Sequence, residues 1–183
     1  MNRLKDTYRN TLAAKLSTDL KLTNPHQVPK LEKIVVSVGV GRALQDSKHL
    51  EQAVATLTKI TGQKPVITKA RKSIATFKLR DGNEIGATVT LRGERMYDFL
   101  DRLVAIVLPR IRDFRGLAVN SFDPQGNYSI GLSEQTLFPE VSYEDAQLTH
   151  GVQVTLVTTA RTPQEGEALL RALGVPLERK EAK

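Results

Sequence analysis

The 183-residue sequence contains no cysteine and no tryptophan, and aromatic residues make up only 5% of it. The absence of cysteine excludes disulfides, thiolate metal ligands, iron–sulfur clusters and a cysteine nucleophile. Because aromatic rings are so scarce, we do not expect a protein that binds single strands mainly by base stacking. The longest apolar run, residues 103–108, is far shorter than the roughly 20 residues that span a bilayer. Residues 1–20 include Asp6 and Asp19 and lack the apolar core of a secretory signal, so we expect a soluble, intracellular chain.

Acidic residues are absent from one long segment, residues 52–80. The seven basic residues of this segment equal the net charge of +7 of the whole chain: Lys59, Lys64, Lys69, Arg71, Lys72, Lys78 and Arg80. A charge run often marks only a solvated surface, but this one alternates with hydrogen-bonding side chains such as Thr61, Gln63 and Thr68. Lys and Arg bind phosphates, whereas hydroxyl and amide groups suit the ribose hydroxyls of RNA. The segment therefore predicts RNA binding.

Apolar periodicity predicts helices and strands that are interleaved along the chain. The helices are expected at about 3–21, from Asp46 or Ser47 to Gly62, from Gly93 to Pro109, and from Thr162, where Thr-Pro-Gln-Glu has the form of a capping box. The strands are expected at about 31–40, 65–70, 76–80, 85–92, 117–119, 128–132 and 152–160. Asp81-Gly82-Asn83 predicts a hairpin turn. Because hairpins join several strands, the pattern favours an α+β fold over a parallel doubly wound one. We expect one domain over residues 1–183, with an antiparallel sheet packed against helices on one face and a protruding basic loop.

Two other patterns are poor candidates for a nucleotide or metal site. Gly39-Val40-Gly41 lies between a predicted strand and a predicted helix, but a dinucleotide fingerprint needs a glycine where this chain has Leu44. The three histidines share no ligand spacing and are interpreted as surface residues: His26, His49 and His150. We therefore predict no catalytic residue, no metal site and no cofactor.

The C-terminal half is acidic, with five basic and nine acidic residues in 120–183. We interpret its carboxylates as a solvated or protein-contacting surface, formed by Glu134, Glu140, Glu144 and Asp145. A small-molecule enzyme and a DNA-binding regulator remain alternatives. Tight binding of a nucleotide or metal would favour the enzyme, and equal affinity for duplex DNA and RNA would favour the regulator.

Residues 57–73, LTKITGQKPVITKARKS, resemble the signature of the bacterial large-subunit ribosomal protein L5 family, the 5S-rRNA-binding proteins of the central protuberance. Further motifs follow in the order of that family: VPKLEKIVV at 28–36, VTLRGERM at 89–96, LPRIRDFRG at 108–116, GNY at 126–128, FPE at 138–140 and VTT at 157–159. Several long motifs in the right order are specific evidence, and they cover nearly the whole chain.

The resemblance implies an antiparallel sheet with one surface on 5S rRNA, a protruding loop that reaches the P-site tRNA, and an edge that meets small-subunit ribosomal protein S13 at an intersubunit bridge. It also implies contacts to 23S rRNA and to neighbouring central-protuberance proteins, no membrane partner, and a cytoplasmic location on the ribosome. The expected 5S rRNA-binding residues are Lys33, Ser37, Gln63, Lys64, Thr68, Lys69, Thr90 and Arg92. The tRNA-facing loop, about 71–83, is expected to act through Arg71, Lys72, Ser73, Lys78 and Arg80.

The sequence departs from the family pattern in two places. Gln63 and Thr90 match the pattern of the 5S-contacting positions, but Ser37 stands where the family commonly has asparagine. The serine side chain is shorter, so a water is expected to bridge it to the RNA. Residues 150–153 read His-Gly-Val-Gln where the family usually has Arg-Gly-Met-Asp. That change lies on the C-terminal side and leaves the expected RNA-binding residues unaltered.

Overall fold

The computed structural model describes residues 3–142 and 148–178, which include helices and a five-stranded sheet. The regular elements are α1 (Arg3–Thr7), α2 (Ala13–Asp19), β1 (Leu31–Gly39), α3 (Lys48–Thr61), β2 (Val66–Lys69), β3 (Glu84–Leu91), α4 (Gly93–Arg102), β4 (Tyr128–Leu132), β5 (Val152–Thr158) and α5 (Pro163–Ala172). The antiparallel sheet has the strand order β2-β3-β1-β5-β4. The predicted α+β class is confirmed. Within the described ranges, no helix combines the length and the apolar character needed to cross a bilayer.

The chain divides into two compact units, of which the first comprises residues 1–34, 91–130 and 155–183. A π-helical turn joins α1 to α2, and this stretch corresponds to the helix predicted at about 3–21. In this unit α1 packs on α4, and α2 packs on α5. The ion pair between Arg3 and Asp101, with a nitrogen–oxygen distance of 2.7 Å, links α1 to α4. Burial raises the pKa of Tyr8 to about 12, and its hydroxyl donates to the carbonyl of Pro29.

The second unit comprises residues 35–90 and 131–154. The carboxylate of Asp46 accepts a hydrogen bond from the Lys48 backbone N–H at 3.0 Å. Gly62 caps the C-terminus of α3, and its φ of 64° suits glycine. The core residues of α3, β1 and β3 are Leu50, Ala53, Leu57, Ile60, Val36, Val38, Ala87 and Val89. The apolar residues of β1 and β3 alternate along each strand, so the intervening residues point away from this core.

Two predicted strands are wrong. The chain does not extend through 76–80, because it reverses in a 3₁₀ turn at Ala75–Phe77. The predicted strand at 117–119 is reduced to an isolated parallel bridge between Leu117 and Leu177, followed by a 3₁₀ turn at Val119–Ser121. Both segments contain residues with strand propensity, but within the described residues each forms only an isolated bridge, Ile74 with Leu79 and Leu117 with Leu177.

Candidate nucleic-acid interface

Hydroxyl side chains share one side of the strand pair formed by β2 and β3. The register places Thr68 opposite Gly86 and Val66 opposite Thr88. Residues directly opposite each other in an antiparallel pair point to the same side, and so do alternate residues along one strand. Thr68, Thr88 and Thr90 therefore face the same way, opposite to the buried residues of β3.

Ser37 brings β1 into the same surface, because its neighbours Val36 and Val38 are both buried in the core. The Thr88 hydroxyl donates to the Val36 carbonyl at 3.4 Å. We call Ser37, Thr68, Thr88 and Thr90 the polar sheet side. Three of these four residues were predicted to bind RNA, and the structure brings them together. Within the described residues, the hydroxyl groups of Ser37, Thr68 and Thr90 form no hydrogen bond, whereas the Thr88 hydroxyl is bonded to Val36.

Gly86 lies within the polar sheet side and permits close packing there. A Cβ atom at this position would come within 2.5 Å of the Val38 carbonyl oxygen and 2.9 Å of the Thr68 hydroxyl. Because the first of these neighbours is backbone, a larger residue would displace β1 or β3. Glycine therefore allows β1 and β3 to approach this closely. Gly86 was not among the predicted site residues, since an isolated glycine in a strand indicates a bulge or a close backbone approach but not a binding role.

Gln63 and Lys64 follow α3 in a turn that the buried side chain of Thr61 stabilises. The Thr61 hydroxyl lies 2.6 Å from the Leu57 carbonyl oxygen, to which it donates, and it accepts a hydrogen bond from the Gln63 backbone N–H at 3.3 Å. Gln63 is half-buried and Lys64 is exposed. Nothing in the described ranges hydrogen-bonds the Gln63 side-chain amide. This predicted residue therefore presents both a donor and an acceptor from a fixed backbone position.

Two of the predicted RNA-binding cations are paired with carboxylates. Lys69 lies opposite Glu84 in the strand register, and its Nζ is 3.5 Å from Oε1 of that residue. In the first unit, Arg92 lies 3.5 Å from Glu32. All four side chains are about half exposed, so the pairs are weak but lower the local positive charge. The acid-free segment of the sequence is therefore not free of acidic neighbours in space. Lys33, on β1 in the first unit, is half-buried.

Beyond Lys69 and Glu84 the two strands continue into a hairpin, residues 70–83, which we call the basic hairpin. Backbone hydrogen bonds join Ala70 to Asn83 at 2.8 Å and join Ile74 to Leu79 in both directions, at 2.9 and 3.1 Å. The chain reverses at Ala75–Phe77, and Lys78 follows with a φ of 52° in the left-handed region. A turn does form at Asp81-Gly82-Asn83, where the Asn83 N–H donates to the Arg80 carbonyl at 3.2 Å and Gly82 has a φ of 84°. It lies at the base of the hairpin, however, and is not the predicted reversal between the two strands.

The hydroxyl of Ser73 has a role inside the basic hairpin. It accepts a hydrogen bond from the Asp81 backbone N–H at 2.9 Å. Ser73 and Asp81 also line an open cavity of about 740 Å³, together with Lys78 and Arg80. Ser73, which was predicted to face tRNA, stabilises the returning segment of the hairpin through this hydrogen bond.

The cations of the basic hairpin are exposed and lack counter-charges. In the sequence of residues 70–83, Asp81 is the one acidic residue. Within the described residues, no carboxylate lies at ion-pair distance from the four predicted cations of this hairpin, which are Arg71, Lys72, Lys78 and Arg80. Their charges therefore add to a positive potential that extends into solvent.

All three histidines were expected at the surface, but not all of them are exposed. His26 is exposed, but His150 is half-buried, and burial lowers its pKa against the opposing effect of a hydrogen bond with Leu148. A smaller lowering comes from the charge of His49, so the fold brings together two histidines that are distant in sequence. The side chain of Gln135, fully buried, donates to the Leu148 carbonyl at 3.0 Å and accepts from the His150 N–H at 2.7 Å.

The predicted acidic surface is only partly described. Glu134 is exposed and Glu140 is half-buried, whereas Glu144 and Asp145 lie outside the described residues. In the ranges 3–142 and 148–178, no group of three or more histidine, aspartate or glutamate side chains is arranged to hold a metal ion.

Comparison with known proteins identifies the family. Residues 24–80 match the profile of ribosomal protein L5, and residues 84–177 match the profile of the C-terminus of the same ribosomal family. The large ribosomal subunit protein uL5 of Anaeromyxobacter sp. strain Fw109-5 is 54% identical over 174 residues, which cover 95% of this chain and 97% of that protein. The large ribosomal subunit protein uL5 of Ureaplasma urealyticum serovar 10 is 54% identical over 176 residues, 96% of each chain. This chain therefore belongs to the ribosomal protein L5 family.

Proposed function

We propose that this chain holds 5S rRNA in the central protuberance through the polar sheet side and residues 63–69, and that its basic hairpin contacts the P-site tRNA. As a member of the ribosomal protein L5 family, it is a structural constituent of the large ribosomal subunit and not an enzyme. It acts in translation, in the cytoplasm on the ribosome, and binds rRNA.

The 5S rRNA contact is supported by the unused hydrogen-bonding groups on the polar sheet side. Hydroxyl groups of Ser37, Thr68 and Thr90 can donate to phosphate oxygens and both donate to and accept from ribose 2′-hydroxyls. The minor groove of A-form RNA is shallow and displays those hydroxyls, so a flat protein surface fits it well. Lys64, exposed beside Gln63, adds a phosphate contact at the border of this surface.

The tRNA contact is supported by the charge and shape of the basic hairpin. Its exposed Arg and Lys side chains attract phosphate over a long distance, and attraction of this kind is independent of sequence. A hairpin can extend beyond the sheet that supports it, so it suits a partner that the sheet itself does not contact.

We assign the remaining partners to other parts of the chain. Exposed carboxylates such as Glu134 suit a basic protein, and we propose S13 of the small-subunit head as their partner at the intersubunit bridge. Contacts to 23S rRNA and to neighbouring central-protuberance proteins complete the proposed set.

Retention of total cellular RNA on the purified chain tests the 5S rRNA assignment. We expect 5S rRNA to dominate the retained RNA and to stay bound at a salt concentration that releases duplex DNA of equal length. Comparable retention of the two would overturn the assignment and favour the DNA-binding alternative. For tRNA, we expect the chain to bind deacylated tRNA, and substitutions in the basic hairpin to weaken that binding without weakening 5S rRNA binding equally.

A further inference from the structure

Phe77 is among the most exposed large apolar side chains of the described residues, with 69% of its surface accessible. It lies in the 3₁₀ turn at the tip of the basic hairpin, next to Lys78. Ile74, which lies before the same turn, is also exposed, at 42%. An isolated apolar residue at a surface needs no explanation. A phenyl ring at the tip of this hairpin needs an explanation, because the cations around it have no ion-pair partner among the described residues and the hairpin is proposed to bind a polyanion.

The hairpin holds this ring in a defined position. The paired hydrogen bonds between Ile74 and Leu79 lie directly below the tip, and the Lys78 N–H donates to the Ala75 carbonyl at 3.0 Å across the turn. A phenyl side chain has two rotatable bonds. Contact with a partner therefore immobilises little that the hairpin has not already fixed.

Charge decides which partner suits the ring. An apolar protein surface would have to approach Lys72, Lys78 and Arg80 without supplying counter-charges. An unpaired nucleotide combines the two required features, since its phosphate is anionic and its base has two flat apolar faces. Aromatic side chains stack on such faces whatever the base, whereas the bases of a continuous duplex are covered by their neighbours.

We propose that Phe77 stacks on an unpaired nucleobase of the RNA that the basic hairpin binds. The inference rests on the proposed tRNA contact and adds a specificity to it: the hairpin distinguishes a loop with accessible bases from a regular duplex. Aromatic residues are too scarce in this chain for binding mainly by base stacking, but one ring at the right place can contribute a single contact. Phe77 is the only aromatic residue of the segment 52–80, and the fold places it at the hairpin tip.

Paired RNA ligands test the inference with the full-length chain. One ligand is a stem closed by a seven-nucleotide loop, and the other is a fully paired duplex with the same number of phosphates. We expect Phe77→Leu to weaken binding to the looped RNA roughly tenfold, with little change for the duplex. Phe77→Tyr should retain the affinity of the parent chain. Ile106→Ala is the matched control, since Ile106 is 41% exposed but lies in the other unit.

Fluorescence gives a second measurement that does not depend on affinity. Because the chain contains no tryptophan, Phe77→Trp introduces a single indole. Stacking on a base should quench its emission with the looped RNA and leave it largely unchanged with the duplex. Equal quenching by the two ligands, or none by either at saturation, would overturn the inference.

A charge variant separates failure of this inference from failure of the proposed tRNA contact. If Arg71→Ala, Lys72→Ala and Arg80→Ala together leave RNA binding unchanged, the basic hairpin does not contact RNA and both proposals fail. If the triple variant loses affinity but Phe77→Leu binds both ligands as the parent does, only the stacking inference fails.

Discussion

The basic hairpin extends from β2 and β3, which carry the polar sheet side together with β1, but the two regions have different chemistry. In the hairpin, four cations are exposed and, among the described residues, have no carboxylate at ion-pair distance. On the sheet side, the hydrogen-bonding groups that point outward are hydroxyls, beside the exposed apolar side chain of Val66. The nearby Lys69 is paired with Glu84. We therefore expect the hairpin to act on RNA through long-range attraction, which salt screens, and the sheet side through short hydrogen bonds, which salt affects little.

The difference follows from what each structure can support. A row of like charges on adjacent strands would lie at close range and repel, so small neutral donors are better tolerated there. A hairpin tip places its side chains in solvent on several sides, where like charges are kept apart and screened. We infer that the sheet side sets the fit to RNA and the hairpin sets its reach.

The largest effect is expected from neutralising the hairpin. Replacing Arg71, Lys72 and Arg80 together with Ala should flatten the dependence of log K on log salt by about two to three units, because each lost phosphate contact removes about 0.7–0.9. Binding to tRNA measured over a range of salt concentrations gives the slope. The triple variant Lys69→Ala, Arg71→Ala and Lys72→Ala, which leaves Arg80 in place, should give a smaller change, since Lys69 is already paired with Glu84. An unchanged slope would show that these cations do not lie at the RNA interface.

Gly86→Ala should displace β1 or β3 and so disturb the polar sheet side, although it adds only one methyl group. The new Cβ would come within 2.5 Å of the Val38 carbonyl oxygen. We expect a loss of about 1–3 kcal/mol in the free energy of unfolding and weaker 5S rRNA binding. Gly39→Ala is the control on the same unit, since no atom lies within 4 Å of a Cβ built there. Equal stability of the two variants in urea would mean that the strands adjust without cost at Gly86.

Thr90→Val tests whether the unused hydroxyls contact 5S rRNA. The substitution keeps the shape and removes one donor, so we expect a loss of about 0.5–1.5 kcal/mol in binding free energy, with an unchanged salt slope. Thr88→Val is the matched variant, because the Thr88 hydroxyl already donates to the Val36 carbonyl. It should affect stability slightly and 5S rRNA binding less than Thr90→Val. A larger binding loss for Thr88→Val would reverse the assignment.

Local patterns were sufficient to predict much of the fold. Alternation of apolar residues located β1, β3 and β5, and Ser37 and Thr90 lie between the buried apolar positions of their strands. Thr162 was predicted to cap α5, and its hydroxyl accepts a hydrogen bond from the Glu165 N–H at 3.3 Å. These features depend on residues a few positions apart, which a single sequence displays directly.

Features that depend on pairing between distant segments could not be predicted in this way. The Asp81-Gly82-Asn83 sequence predicted the hairpin reversal at these residues. The chain instead reverses at Ala75–Phe77, between the bridged residues Ile74 and Leu79. The packing of a buried Gln135 around Leu148 and His150 gave no periodic signal at all. The pairing of Lys69 with Glu84 required the register of β2 on β3, including the irregularity after Thr68.

The smallest effect is expected where the two regions meet, at that same pair of Lys69 and Glu84. Glu84→Gln removes the counter-charge without changing the size of the side chain. The pair is exposed and its two charged atoms are 3.5 Å apart, so the free energy of unfolding should fall by less than about 1 kcal/mol. Lys69 then becomes available to phosphate, and the RNA salt slope should steepen by less than about one unit. Glu32→Gln, which removes the partner of Arg92 in the first unit, provides the comparison. The double variant Glu84→Gln, Lys69→Ala tests the cause. If its RNA salt slope is as steep as that of Glu84→Gln alone, the change does not arise from Lys69, and this pair does not mark the border between the two regions.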